Sequence, residues 1–288
     1  MTVLQRKPMN FFEFLKIVIL GITEGITEFL PISSTGHLLI MERVLRPECL
    51  RDEAFSEMFT VVIQLGAVFA VALIYFRRLW PFGMTEEKRI YVQGPKLYLW
   101  LKILVACVPA MTIGVLFDPL VDSLFHGRAS SITVMITLIL YGIVFLFIEQ
   151  FRKDNPPNYK TLGSIPMKMA FYIGCFQILA MIPGTSRSGI TIIGAMLLGA
   201  SRGVAAEFTF YLEIPTLFGA SLLKLIKYRF DFDGMQYAIL LAGMIVAFLV
   251  AFVTVNWMIE YIKKHDFKVF GWYRIGLGLV ILFFLIIL

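Results

Sequence analysis

The chain has 288 residues, 59% hydrophobic, 15% aromatic and 16% charged, with a mean hydropathy of +0.81. Soluble domains carry about 25% charged residues, so this composition excludes one and indicates an integral membrane protein. Its apolar runs are long and continuous, which suits helices and excludes a β-barrel, and its net charge of +6 sits in short connections, where lipid rather than nucleic acid accounts for it.

From the N-terminus, Arg6 and Lys7 precede an apolar run in the manner of a signal peptide, but Glu13 and Lys16 interrupt it and no small-residue cleavage site follows, so the segment reads as mature sequence. Phe11 to Leu45 is apolar but broken at Pro31 by Ser33-Ser34-Thr35-Gly36-His37, and it carries Glu24 and Glu28. Three runs able to cross a bilayer follow, Met58 to Phe76, Leu97 to Phe117 and Ile132 to Ile148. Met167 to Ala200 is again apolar and broken, at Pro183-Gly184-Thr185-Ser186-Arg187-Ser188-Gly189. Three more crossings are expected over Ala206 to Ile226, Tyr237 to Met258 and Val269 to Leu288. Broken backbone is tolerated at membrane depth only where protein or water satisfies it, so both broken segments read as re-entrant helical hairpins. Cys49, Cys107 and Cys175 are far apart and indicate neither a zinc site nor a disulfide framework.

The two broken segments resemble each other. Placing Ser33 on Ser186 aligns Gly21 with Gly174, Glu24 with Gln177, Thr35 with Ser188 and Gly36 with Gly189, and further on Phe59-Thr60 matches Phe208-Thr209 and Gln64 matches Glu213. One membrane domain built of two units, about 1–152 and 160–288, follows. A hairpin plus three crossings leaves each unit on the far side, so the second is expected inverted, with the hairpins meeting near the midplane. Lys and Arg number thirteen in the connections on one side and nine on the side of the N-terminus, which places both termini, and the opening of the site, outside the cytoplasm.

A charge at the bilayer centre costs about 2.5–3.5 kcal/mol on insertion scales, so Glu24 and Glu28, four apart on one helical face, mark a site. They suit a divalent metal or proton acceptance; the bland alternative is a pair satisfied by a structural arginine or loop amides. Gly21 and Gly25 form a stripe on which another backbone can close. The hydroxyls of Ser33, Ser34 and Thr35 and the amide of Gly36 open one helix, and Thr185, Ser186, Ser188 and Gly189 open another, beside Arg187; two helix N-termini and a guanidinium imply a phosphate-bearing ligand. An N-cap serine can be only a cap, and a lone histidine only structural, but His37 shares this pocket and suits acid/base work, reaching back toward the hydroxyl or the ligand. Gln64 reads as structural support and Glu213 stays open. Glu48, Glu53 and Glu57 read as solvated loop residues, and Lys102 and Lys224 as snorkelling to the interface.

The stretches from Glu24 to His37 and from Pro183 to Gly189 resemble the two signature motifs of the undecaprenyl-diphosphate phosphatase family, the bacitracin-resistance type, and the similarity in segment order spans the chain. The resemblance implies a multi-pass enzyme of the bacterial plasma membrane that hydrolyses undecaprenyl diphosphate to undecaprenyl phosphate and recycles the lipid carrier for cell-envelope synthesis. It implies catalytic roles for Glu24, Glu28, Ser34, His37 and Arg187; hard-oxygen ligation makes Mg²⁺ or Ca²⁺ the expected ion on Glu24 and Glu28, and a homodimer stays open. Inverted repeats with broken helices also suit a secondary transporter or flippase of an anionic lipid.

Overall fold

The computed structural model describes residues 10–84, 86, 89–124, 128–228 and 232–287; Arg6, Lys7, Lys88, Arg229 and Leu288 of the sequence reading lie outside them. The first broken segment folds as α1 (Phe11–Thr27) and α2 (Ser34–Leu45), joined by a turn. At 1.5 Å per residue their 17 and 12 residues rise about 25 and 18 Å, less than the ~30 Å hydrocarbon layer, and the arms pack on each other as a hairpin. Glu13 and Lys16 close its open end. Asn10 caps α1 by accepting the Glu13 amide, Glu13 accepts the Glu48 amide at 2.8 Å, and Lys16 donates to the Arg46 carbonyl.

Helices α3 (Glu53–Ile74), the short α4 (Phe76–Leu79), α5 (Gly94–Leu124) and α6 (Arg128–Asp154) complete the first half. Between α4 and α5, β1 (Phe82–Met84) and β2 (Ile90–Val92) form a small antiparallel ribbon that the apolar periodicity does not announce. The second half runs α7 (Met167–Ile178), α8 (Arg187–Leu197), α9 (Arg202–Tyr228), α10 (Gly234–Lys264) and α11 (Lys268–Ile287). Among the described residues six helices are long and apolar enough to cross a membrane, at the six expected places. Their outer faces expose large side chains such as Val115, Phe147, Val253, Trp272 and Phe283, an apolar belt that only a lipid surround accommodates.

Both halves run two short hairpin helices and then three long ones, the first half adding α4 and the ribbon, and the packing crosses between them. Helix α1 lies on α10 and α7 on α5, while α3 packs on α9 and α6 on α11. Close approach explains the glycine stripe: a Cβ on Gly25 would stand 2.7 Å from the Ala247 carbonyl oxygen, and one on Gly21 3.0 Å from that of Gly243. Its counterpart Gly174 is pressed against the Ala106 carbonyl in the same way.

Two lysines find partners within the protein, and one expectation about the acids is corrected. Lys102 is buried, with Nζ 3.1 Å from the Gly163 carbonyl oxygen, where the turn after α6 folds over it. Lys224 pairs with Glu57 at 3.0 Å. Neither Glu53 nor Glu57 is a loop residue, since Asp52 caps α3 by accepting the Phe55 amide and the helix starts at Glu53. Gly25→Leu, which wedges α1 off α10, is expected to cost about 1–3 kcal/mol by overpacking, read as a lower thermal midpoint of the protein in detergent.

Candidate functional site

The turns at the tips of the two hairpins meet in the interior, and each is built alike. Ser33 and Ser186 occupy the left-handed region, φ 74° and 67°, which few non-glycine residues adopt; each caps the helix that follows, accepting the amide of Gly36 at 3.3 Å and of Gly189 at 3.1 Å. Strained residues at matched positions are a mark of a functional site. The Ser188 hydroxyl crosses between hairpins to donate to the carbonyl oxygens of Glu28 and Leu30, at 3.0 and 3.3 Å. Arg274 of α11, fully buried, donates to Pro31 O at 3.2 Å and to Gly184 O and Thr185 O at 3.0 Å. It thereby satisfies carbonyls from both turns, and Thr137 of α6 adds a bond to Pro183 O at 2.8 Å.

Around these turns the polar side chains converge. Ser34 donates to Glu28 Oε2 at 2.6 Å, and Arg187 Nη1 lies 3.8 Å from Glu28 Oε1, an ion pair without a hydrogen bond. Glu24 is fully buried and neither of its carboxylate oxygens has a hydrogen-bond partner; the same holds for both oxygens of buried Glu213, for Thr185 Oγ1 and for Arg187 Nη1. Glu24 lies within electrostatic reach of Glu28, Arg187 and Glu213. An unmet polar atom away from water costs at least about 1–3 kcal/mol, so this many in one apolar bundle describes a socket for a polar ligand. Acids and a guanidinium together suit a phosphate accompanied by a cation.

His37 meets only protein partners. It does not reach back to the Ser34 hydroxyl; Nδ1 lies 2.8 Å from the Ser33 carbonyl oxygen and Nε2 2.7 Å from the Tyr273 hydroxyl, with the two rings stacked. Because a carbonyl only accepts, Nδ1 carries the proton, and in the neutral ring Nε2 accepts from Tyr273. The glycines also differ: the amides of Gly36 and Gly189, expected to face a phosphate, are taken by the cap serines. Thr35 is exposed, and Ser186 pairs with Ser188 at 3.1 Å.

Sequence reasoning missed Arg274 and Tyr273, and left Glu213 open. Arg274 was detectable by the criterion that found Arg187, a charge inside an apolar run. Glu213 stands two residues before Pro215, a proline inside α9, and that pairing of carboxylate and helix breaker was a further signal. For Tyr273 no signal exists, since a tyrosine near a membrane surface is ordinary.

The family model described as "Bacitracin resistance protein BacA" matches residues 17–280. The chain is 52% identical over 273 residues to an undecaprenyl-diphosphatase of Lachnoclostridium phytofermentans, covering 95% of this chain and 97% of that protein. It is 48% identical over 274 residues to the undecaprenyl-diphosphatase of Enterococcus faecalis (95% and 98% covered) and 48% identical over 282 residues to undecaprenyl-diphosphatase 1 of Clostridioides difficile (98% and 100%). Arg274→Gln, which strips buried carbonyls of their donor, is expected to destabilise the protein by about 2–3 kcal/mol, measured by chemical or thermal unfolding in detergent.

Proposed function

The chain belongs to the bacitracin resistance protein BacA family, and on that footing we propose that it hydrolyses undecaprenyl diphosphate to undecaprenyl phosphate and inorganic phosphate, recycling the lipid carrier and conferring bacitracin resistance. The observation that carries this reading is the Ser34–Glu28–Arg187 contact. It sets a hydroxyl, a proton acceptor and a guanidinium around one point.

In the proposed sequence Arg187 clamps the diphosphate with its unengaged Nη1. The Ser34 Oγ attacks the terminal phosphorus while its proton passes to Glu28 along the 2.6 Å contact. The bond from that phosphorus to the bridging oxygen breaks, and undecaprenyl phosphate leaves with the bridging oxygen. A phosphate is a stable anion, so this departure needs charge stabilisation more than a proton. Water then attacks the phosphoserine, and His37, one helical turn from Ser34, takes a proton from it at Nε2 once the Tyr273 hydroxyl gives up its bond there, later passing that proton to solvent. Ser34 leaves, recovers its proton from Glu28, and phosphate is freed.

For a divalent cation the fit rests on the two unpartnered oxygens of Glu24 beside Glu28, a hard-oxygen set that suits Mg²⁺ or Ca²⁺. Among the described residues no group of three or more His, Cys, Asp or Glu side chains is poised for a metal, so Glu24 and Glu28 would share it with water and diphosphate oxygens. When bound, the cation would neutralise the charge gathering on the transferring phosphoryl group. The halves are proposed to be inverted repeats, with the site opening outside the cytoplasm of a bacterial plasma membrane.

In detergent, where no gradient exists, the purified protein is expected to release phosphate from undecaprenyl diphosphate; a transporter would release none. Ser34→Ala, Glu28→Gln and Arg187→Ala should each lower kcat about 10²–10³-fold. Acid quenching with a substrate labelled at the terminal phosphate should leave label on the wild type and none on Ser34→Ala; an unlabelled wild type would mean that water attacks directly. A chelator should abolish turnover, Mg²⁺ or Ca²⁺ should restore it, and Glu24→Gln should need more cation for half-maximal rate.

A further inference from the structure

We propose a second anion site, for the phosphate group of an anionic lipid or for free phosphate, in the cavity where α6, α8, α9 and α10 end or begin. It has a volume of about 250 Å³ and is lined by Arg152, Met196, Ser201, Arg202, Gly203 and Ile262, with Pro157 and Ala200. None of these belongs to the two-turn site, and α8 lies between: its 11 residues span about 16 Å.

The charge in this cavity is unbalanced. Glu149 beneath it is fully engaged, accepting from Arg202 Nε at 2.9 and 3.0 Å and from the Phe267 amide at 3.0 Å. Asp266, the other acid near Arg202, pairs with Lys268 at 3.6 Å. Arg152 neighbours both Arg202 and Glu149, yet its Nη2 is buried without an acceptor. Arg152 and Arg202 both line the cavity, which therefore holds one guanidinium more than Glu149 balances. The first-turn amides of α9 at Arg202 and Gly203 have no intrahelical carbonyl to meet, and the space beside Gly203 is open. A tetrahedral oxyanion supplies several acceptors at once and matches the guanidinium fork. The size suits a phosphate headgroup without its acyl chains. Lys264, in the last turn of α10, adds positive field at this end of the bundle, while Lys263 is paired with Glu260 and Lys153 is followed by Asp154.

The test is calorimetric titration of the full chain in neutral detergent with inorganic phosphate and, separately, with a short-chain phosphatidylglycerol. Arg187→Ala serves as background, so that the two-turn site stays silent. Arg152→Gln should weaken binding about tenfold, the loss of one charge-assisted bond. Gly203→Asp should weaken it as well, while keeping an acid that favours a helix N-terminus and hence folding. Tighter binding of phosphatidylglycerol than of phosphate assigns the site to lipid, and the reverse to the free anion. Absence of binding, or equal affinity in both variants, overturns the proposal. With Arg187 intact, phosphate release by Arg152→Gln should match the wild type, which separates failure here from failure of the hydrolase reading.

Discussion

One guanidinium holds the interior together. Two helices are interrupted at the depth where backbone carbonyls have no water, and each interruption leaves acceptors that must find donors inside the protein. Arg274 meets that demand for both turns at once, through Pro31 on one side and Gly184 and Thr185 on the other. Its burial would be prohibitive without such partners. Given them, the cost becomes a constraint: the hairpin tips must sit where a single planar fork can reach both.

That constraint produces the site. With the tips fixed, Ser188 bonds to the first turn, Ser33 and Ser186 are held in a backbone region they would not choose, and Glu28 comes opposite Arg187. The capping bonds consume the amides of Gly36 and Gly189, so the helix ends contribute rigidity while the free polar capacity lies on side chains, at Glu24, Thr185, Arg187 and Glu213. The division is economical. The turn carbonyls at Pro31, Gly184 and Thr185 are satisfied within the protein, whereas the carboxylates of Glu24 and Glu213 are not.

Much of this was legible in the sequence, and for a physical reason. Spanning helices need about 20 apolar residues, so Met58 to Phe76 or Tyr237 to Met258 announce themselves, and a charge or Pro-Ser-Gly break inside such a run is conspicuous. Glu24, Glu28, Ser34 and Arg187 were found that way, and the structure brings them together; the duplicated segment named the partner turn. What stayed hidden depends on long-range contact. Nothing local says that Tyr273 holds His37, that Lys102 is roofed by the turn at Gly163, or that Glu57 pairs with Lys224. Arg274 was visible in principle, as a lone charge in Val269 to Leu288, but its role requires knowing that two turns meet.

The interleaving of the halves has a consequence for biogenesis. Helix α1 rests on α10, which the ribosome makes some two hundred residues later, and α11 brings Arg274 only at the close of synthesis. The first hairpin is therefore synthesised before the helix that supplies the donor for Pro31 O. The junction of the two turns cannot be completed by either half alone, since its Arg274 donor lies in the last helix.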